Sequence, residues 1–143
     1  MPLHGTTPSI RRGHIMLIFS LVLAALAALV HVVIFALESL MWTSARARRV
    51  FGTSLKEARA TQQMAFNQGF YNLFLAIVTV AGIGFVLAGV VPVGAALLIA
   101  GAGSMAAAAL VLFFSAPDKR GAALKQGLLP LVSVLALALS LAV

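Results

Sequence analysis

Four long apolar runs alternate with three breaks along this chain, and polar residues interrupt the runs at only a few positions. Each run is long enough to cross a hydrocarbon core, for which an α-helix needs about 20 residues. The pattern predicts an all-α membrane protein, a four-transmembrane-helix bundle, with spans at about residues 15–42, 62–89, 93–114 and 122–143 of one domain, 15–143. Residues 1–14, with Pro2, Gly5, Pro8 and Gly13, read as a disordered N-terminal tail. Arg11 and Arg12 before an apolar run, with Ala25-Leu26-Ala27 beyond, resemble a signal peptide. The run continues past Ala27 to Trp42, which favours an uncleaved span.

The breaks differ in kind. The first, 43–60, is hydrophilic, and its Ser54-Leu55-Lys56-Glu57 fits a capping box that starts a helix near Leu55. The second is the uncharged turn Val90-Val91-Pro92-Val93-Gly94, in which Pro92 suits the start of the third helix. The third is Ser115 to Gly121. The third helix is dense in Gly and Ala, which lets helix backbones approach closely in lipid. Pro130 predicts a bend in the fourth, and Lys125 is placed to snorkel to the nearby surface.

Inside the spans the polar positions are more informative than the apolar ones. His31 and Glu38 lie seven apart, on one helical face and about 10 Å apart along the axis. Asn67, Gln68, Tyr71 and Asn72 occupy less than half the circumference of the second helix, and Thr79 continues their stripe. Measured from Trp42, Glu38 lies about 6 Å deep and His31 about 16 Å. Measured from Gln62, Asn67 and Gln68 lie about 8–9 Å deep and Asn72 about 15 Å. The two stripes therefore match in depth and predict a polar cluster between helices 1 and 2. Ionisable residues in a span are costly and usually face protein, so the cluster reads either as a ligand site or as mutually satisfied packing.

Composition narrows the class. The chain is 62% hydrophobic and 9% charged, with mean hydropathy +1.11, which excludes a soluble domain. It has no cysteine, hence no disulfide and no thiol chemistry. Net charge +7 sits between apolar runs, where it reads as topology signal and contact with anionic lipid instead of nucleic acid. Arg46, Arg48, Arg49, Lys56, Arg59, Lys119, Arg120 and Lys125 lie on one side, against Arg11 and Arg12 on the other. Both basic loops are thus expected in the cytoplasm and both termini outside a cell (inner) membrane. Arg46, Arg48, Arg49 and Arg59 then border the mouth of the cluster and are candidates for an anionic ligand or lipid head group. One buried histidine and one buried carboxylate make a poor metal site, and no cofactor motif is present.

The residues His31-x-x-Ile34-Phe35-x-Leu37-Glu38-x-x-x-Trp42, Arg49-x-Phe51-Gly52 and Asn67-Gln68-Gly69-x-Tyr71-Asn72-x-Phe74-Leu75-Ala76 resemble a family of small bacterial and fungal membrane proteins of unknown function. The resemblance covers residues 15–143 and implies a four-helix membrane fold without an assigned activity. A weaker one, carried by Arg59-Ala60, Asn67 and Leu73-Phe74-Leu75-Ala76, is to the membrane-associated eicosanoid and glutathione metabolism proteins; Phe70 stands where their glutamate is expected. Three readings remain open. One is a small-molecule or lipid site at His31, Glu38, Asn67, Gln68, Tyr71 and Asn72. The second is an enzyme of the eicosanoid and glutathione type with Tyr71 as donor, and the third a transporter cycling a proton on Glu38. The partners expected are the bilayer, a small hydrophobic or anionic ligand and further copies of the chain.

Overall fold

The computed structural model describes residues 8–142. Helix α1 (Pro8–Phe35) passes into a π-helical turn (Ala36–Leu40). Two short helices follow, α2 (Ala45–Phe51) and α3 (Leu55–Ala60). Then come α4 (Gln62–Leu87), α5 (Val91–Ser115), a 3₁₀ turn (Pro117–Lys119) and α6 (Arg120–Leu141). No strand occurs among the described residues. Among the described residues four helices are long and apolar enough to cross a membrane: Pro8–Leu40, Gln62–Leu87, Val91–Ser115 and Pro117–Leu141.

One boundary differs from the expectation of a disordered tail over residues 1–14. Helix α1 begins at Pro8 and carries Gly13 buried within it, while residues 1–7 lie outside the described residues. Proline is pre-organised for the first helical position, so Pro8 starts this helix where a breaker was read. The helix predicted to start near Leu55 forms as α3 and is interrupted at Thr61 before α4. Its capping box is complete: Ser54 N donates to Glu57 Oε2 at 2.8 Å, and Glu57 N donates to Ser54 Oγ at 3.2 Å. α6 continues as one helix through buried Pro130.

The long helices form a ring in which α1 packs beside α4 and α6, and α5 beside the same two, leaving α1 and α5 across the diagonal. Small residues set the spacing. A Cβ on Gly82 of α4 would lie 2.9 Å from Leu98 N and 3.0 Å from Gly94 O of α5. One on Gly101 would lie 2.9 Å from Thr79 N. Thr79 is accordingly buried against α5, its hydroxyl returned to the Leu75 carbonyl at 2.8 Å. Such seams gain dispersion contact that hydrophobicity cannot supply in lipid.

The seam between α1 and α6 is polar at one level. Ser20 Oγ donates to the Ser133 carbonyl at 2.8 Å, and Ser133 Oγ to the Ser20 carbonyl at 2.9 Å, both side chains being fully buried. At the loop end, Gly52 closes α2 with φ +64°, and Lys119 Nζ donates to the Phe51 carbonyl at 3.0 Å. A cation there complements the C-terminal end of α2. This bond fastens the two basic breaks to each other on one end of the bundle. Trp42 Nε1 donates to Thr61 Oγ1 at 3.1 Å, and its ring packs on Phe51, tying the end of the first span to the start of α4.

Candidate functional site

The π-helical turn is where the first span meets α4. Widening by one residue per turn re-aims the side chains that follow, and such turns occur frequently at functional sites. Here Leu37 is buried while Glu38 and Ser39 are directed at α4. Ser39 Oγ donates to the Phe66 carbonyl at 2.8 Å. The approach depends on Gly69: a Cβ there would collide with Ser39 Oγ and lie 3.0 Å from Ser39 N and 3.1 Å from Glu38 Cβ. Edge-on packing of Phe35 on Phe70, with ring centres 5.1 Å apart, closes the outer side of the contact.

Within this contact Asn72 Nδ2 donates to Glu38 Oε2 at 2.9 Å and shares its hydrogens with the Gln68 carbonyl at 3.2 Å. Both side chains are half-buried. Glu38 Oε1 has no hydrogen-bond partner among the described residues, and no cation pairs with the carboxylate. The one ion pair among those residues joins neighbours Lys119 and Asp118 at 3.5 Å. His31 is only 2% exposed, and its Nδ1–H donates to the Ala27 carbonyl at 2.9 Å. That bond assigns the proton to Nδ1 and leaves Nε2 as an acceptor. No hydrogen bond joins His31 to Glu38.

The other sequence candidates lie elsewhere. Asn67, Gln68 and Tyr71 are exposed, Tyr71 by 63%. Asn67 and Tyr71 line a shallow hollow of about 390 Å³ on the outer face of α4, together with Phe66, Phe70 and Phe74. The depth match between the two polar stripes predicts that this arc faces α1. The face that meets α1 is instead the small-residue one, Ala65, Gly69 and Ala76, and of the amides only Asn72 lies near enough to its edge to reach across. Tyr71, the donor in the enzyme reading, is thereby separated from Glu38. Arg46, Arg49 and Arg59 are exposed, and half-buried Arg48 donates through Nε to the Thr43 carbonyl at 3.3 Å. Among the described residues no group of three or more His, Asp or Glu could hold a metal.

Several polar groups went unread in the sequence. Ser39 was hidden by the regular helix assumed around it. Ser20 and Ser133 are lone hydroxyls in apolar runs, a signal that was available. Half-buried Gln126 lies seven residues before Ser133 on the same face of α6. Because α1 and α6 are antiparallel, that register sets it level with Ala27, the acceptor for His31. What the site can do follows from its unpaired carboxylate oxygen, an acceptor, with the Asn72 amide holding the carboxylate in place.

Neither the comparison with characterised proteins nor that with solved structures yields a match. A family model matches residues 25–138, which takes in the π-helical turn, Glu38, Gly69 and Asn72. The chain therefore belongs to a family of proteins of unknown function, DUF1304.

Proposed function

We propose that this protein is a multi-pass protein of the cell membrane that binds a small molecule at Glu38, between α1 and α4, from the cytoplasmic side. The ligand carries a positive charge or an N–H or O–H donor. One observation supports this above the others: Glu38 sits in a candidate membrane span with one oxygen held by Asn72, and among the described residues the other is unpaired and no cation pairs with it. A carboxylate in a span is costly unless it has a partner or a task. The unpaired oxygen is open to a ligand, since no buried side-chain nitrogen or oxygen among the described residues lacks a partner. The cytoplasmic assignment rests on the basic residues of the loop end.

The test compares Glu38→Gln with Glu38→Leu in purified full-length protein. Glutamine keeps the shape and can still bond to Asn72, so its melting temperature should stay within a few degrees of wild type. Native mass spectra of protein released from nanodiscs should nonetheless lose the small-molecule adducts of the wild type. Leucine should lower stability by about 1–3 kcal/mol, because the Asn72 N–H that faced the carboxylate loses its partner while the other stays on the Gln68 carbonyl. If Glu38→Gln retains both the adducts and the melting temperature, the carboxylate is not a ligand site.

A further inference from the structure

A second feature lies on the opposite side of the ring and is independent of Glu38. Between α5 and α6, at the loop end, runs a groove of about 170 Å³ whose lining is apolar throughout, including Ala106, Ala109, Phe113, Gly127, Leu128 and Leu131. Its floor is where the helices touch, since a Cβ on Gly127 would collide with the Ala109 Cβ. Its rim faces outward, with Leu110 48% and Leu128 58% exposed. The lining residues recur at three- and four-residue steps on both helices, so the groove follows the helix axes for about 10 Å, from mid-span toward the surface.

Arg120 closes the surface end. It lies three residues before Ala123 on the groove-facing stripe of α6 and is held by a residue of the lining itself. Its Nε donates to the Phe113 carbonyl at 3.1 Å, and the guanidinium lies over the Phe113 ring, 5.0 Å from its centre. Its terminal nitrogens make no hydrogen bond among the described residues and face no carboxylate, because Asp118 pairs with Lys119. A planar guanidinium with its two outer nitrogens unengaged matches two oxygens of a phosphate.

We propose that this groove and Arg120 together bind one anionic phospholipid, its phosphate on the guanidinium and an acyl chain along the groove. Positive charge at the surface end and an unbroken apolar lining below it complement the two ends of such a molecule. A free phosphate would use only Arg120, and a neutral apolar ligand only the groove. Phe113 couples the two, as it lines the groove and orients the arginine.

Full-length protein in a neutral detergent tests this by its melting temperature during titration with phosphatidylglycerol, phosphatidylcholine of the same chains, or inorganic phosphate. Phosphatidylglycerol should raise the melting temperature saturably, phosphatidylcholine should need a clearly higher concentration, and phosphate should have no effect. Arg120→Gln should weaken the phosphatidylglycerol response by about tenfold, the loss for one charge-assisted pair. Leu128→Trp, at a rim position that is 58% exposed, should weaken it comparably by filling the groove. Lys56→Gln removes the same charge from an exposed position of the other loop and should leave the response unchanged. Equal losses in Arg120→Gln and Lys56→Gln would reduce the effect to general surface charge. A phosphate response matching that of phosphatidylglycerol, or a normal response in Leu128→Trp, would remove the groove from the site.

Discussion

At the scale of single residues, the groups that matter are those whose hydrogen bonds are complete and those whose are not. Glu57 is of the first kind. The Ser54 side chain and backbone, with Thr53 and the charge of Lys119 adding to them, hold its carboxyl below the ordinary value of 4.5. A depressed carboxyl contributes stability that is complete above its ordinary value and lost as pH falls through the lowered one. Acidification should therefore release the start of α3, and Glu57→Gln, which keeps a hydrogen-bonding oxygen but no charge, should flatten that part of the melting-temperature profile. A wild-type profile flat from neutral to acidic pH would count against a charged capping box. That box was readable from four consecutive residues because its chemistry is local. The pairing of Glu38 with Asn72 was only partly readable: depth matching set Glu38 level with Asn67, Gln68 and Tyr71 and set Asn72 level with His31, yet of these four it is Asn72 that bonds to Glu38. The choice among them was made by backbone contact at Gly69, which polar periodicity does not report.

Glycine therefore has opposite values at different points of one element. On α4, a Cβ at Gly69 or Gly82 would press on the backbone of the neighbouring helix, whereas one at Gly84 would meet nothing within 4 Å. Gly84→Ala should be neutral or stabilising by up to about 1 kcal/mol, the gain in helix propensity. Gly82→Ala and Gly69→Ala should instead cost about 1–3 kcal/mol from overpacking, less that same gain. Detergent melting of the three variants checks the order, and Gly69→Ala should also alter Trp42 fluorescence as α1 and α4 separate. Element by element, the four spans were legible because length and hydropathy dictate them. The π-helical turn was not, since one extra residue in a turn leaves the run of apolar residues unchanged. The start of α1 was misplaced for a related reason: Pro8 has the same identity whether it ends a tail or begins a helix.

For the whole molecule, four antiparallel spans place both basic breaks at one end, where Lys119 bonds to the Phe51 carbonyl. In the orientation proposed above, the excess of Lys and Arg at that end faces the cytoplasm. Because the chain has no cysteine of its own, single cysteines report topology without background. Cysteines at Ser54 and Asp118 should resist an impermeant thiol reagent in intact cells, while one at Ile10 should react; labelling at Ser54 from outside would invert the orientation. The Ser20–Ser133 pair has a further consequence, one of timing. Its members are 113 residues apart, so at synthesis rates of about 5–20 residues per second the first span waits roughly 6–23 s for its partner to be made. During that interval the ring is open along one side, and Ser20 has only its own helix, lipid or an insertion factor to face. The last span to enter the membrane is thus the one that completes the first, and a ribosome that stalls before Ser133 leaves a three-helix intermediate with an unsatisfied polar edge in the bilayer.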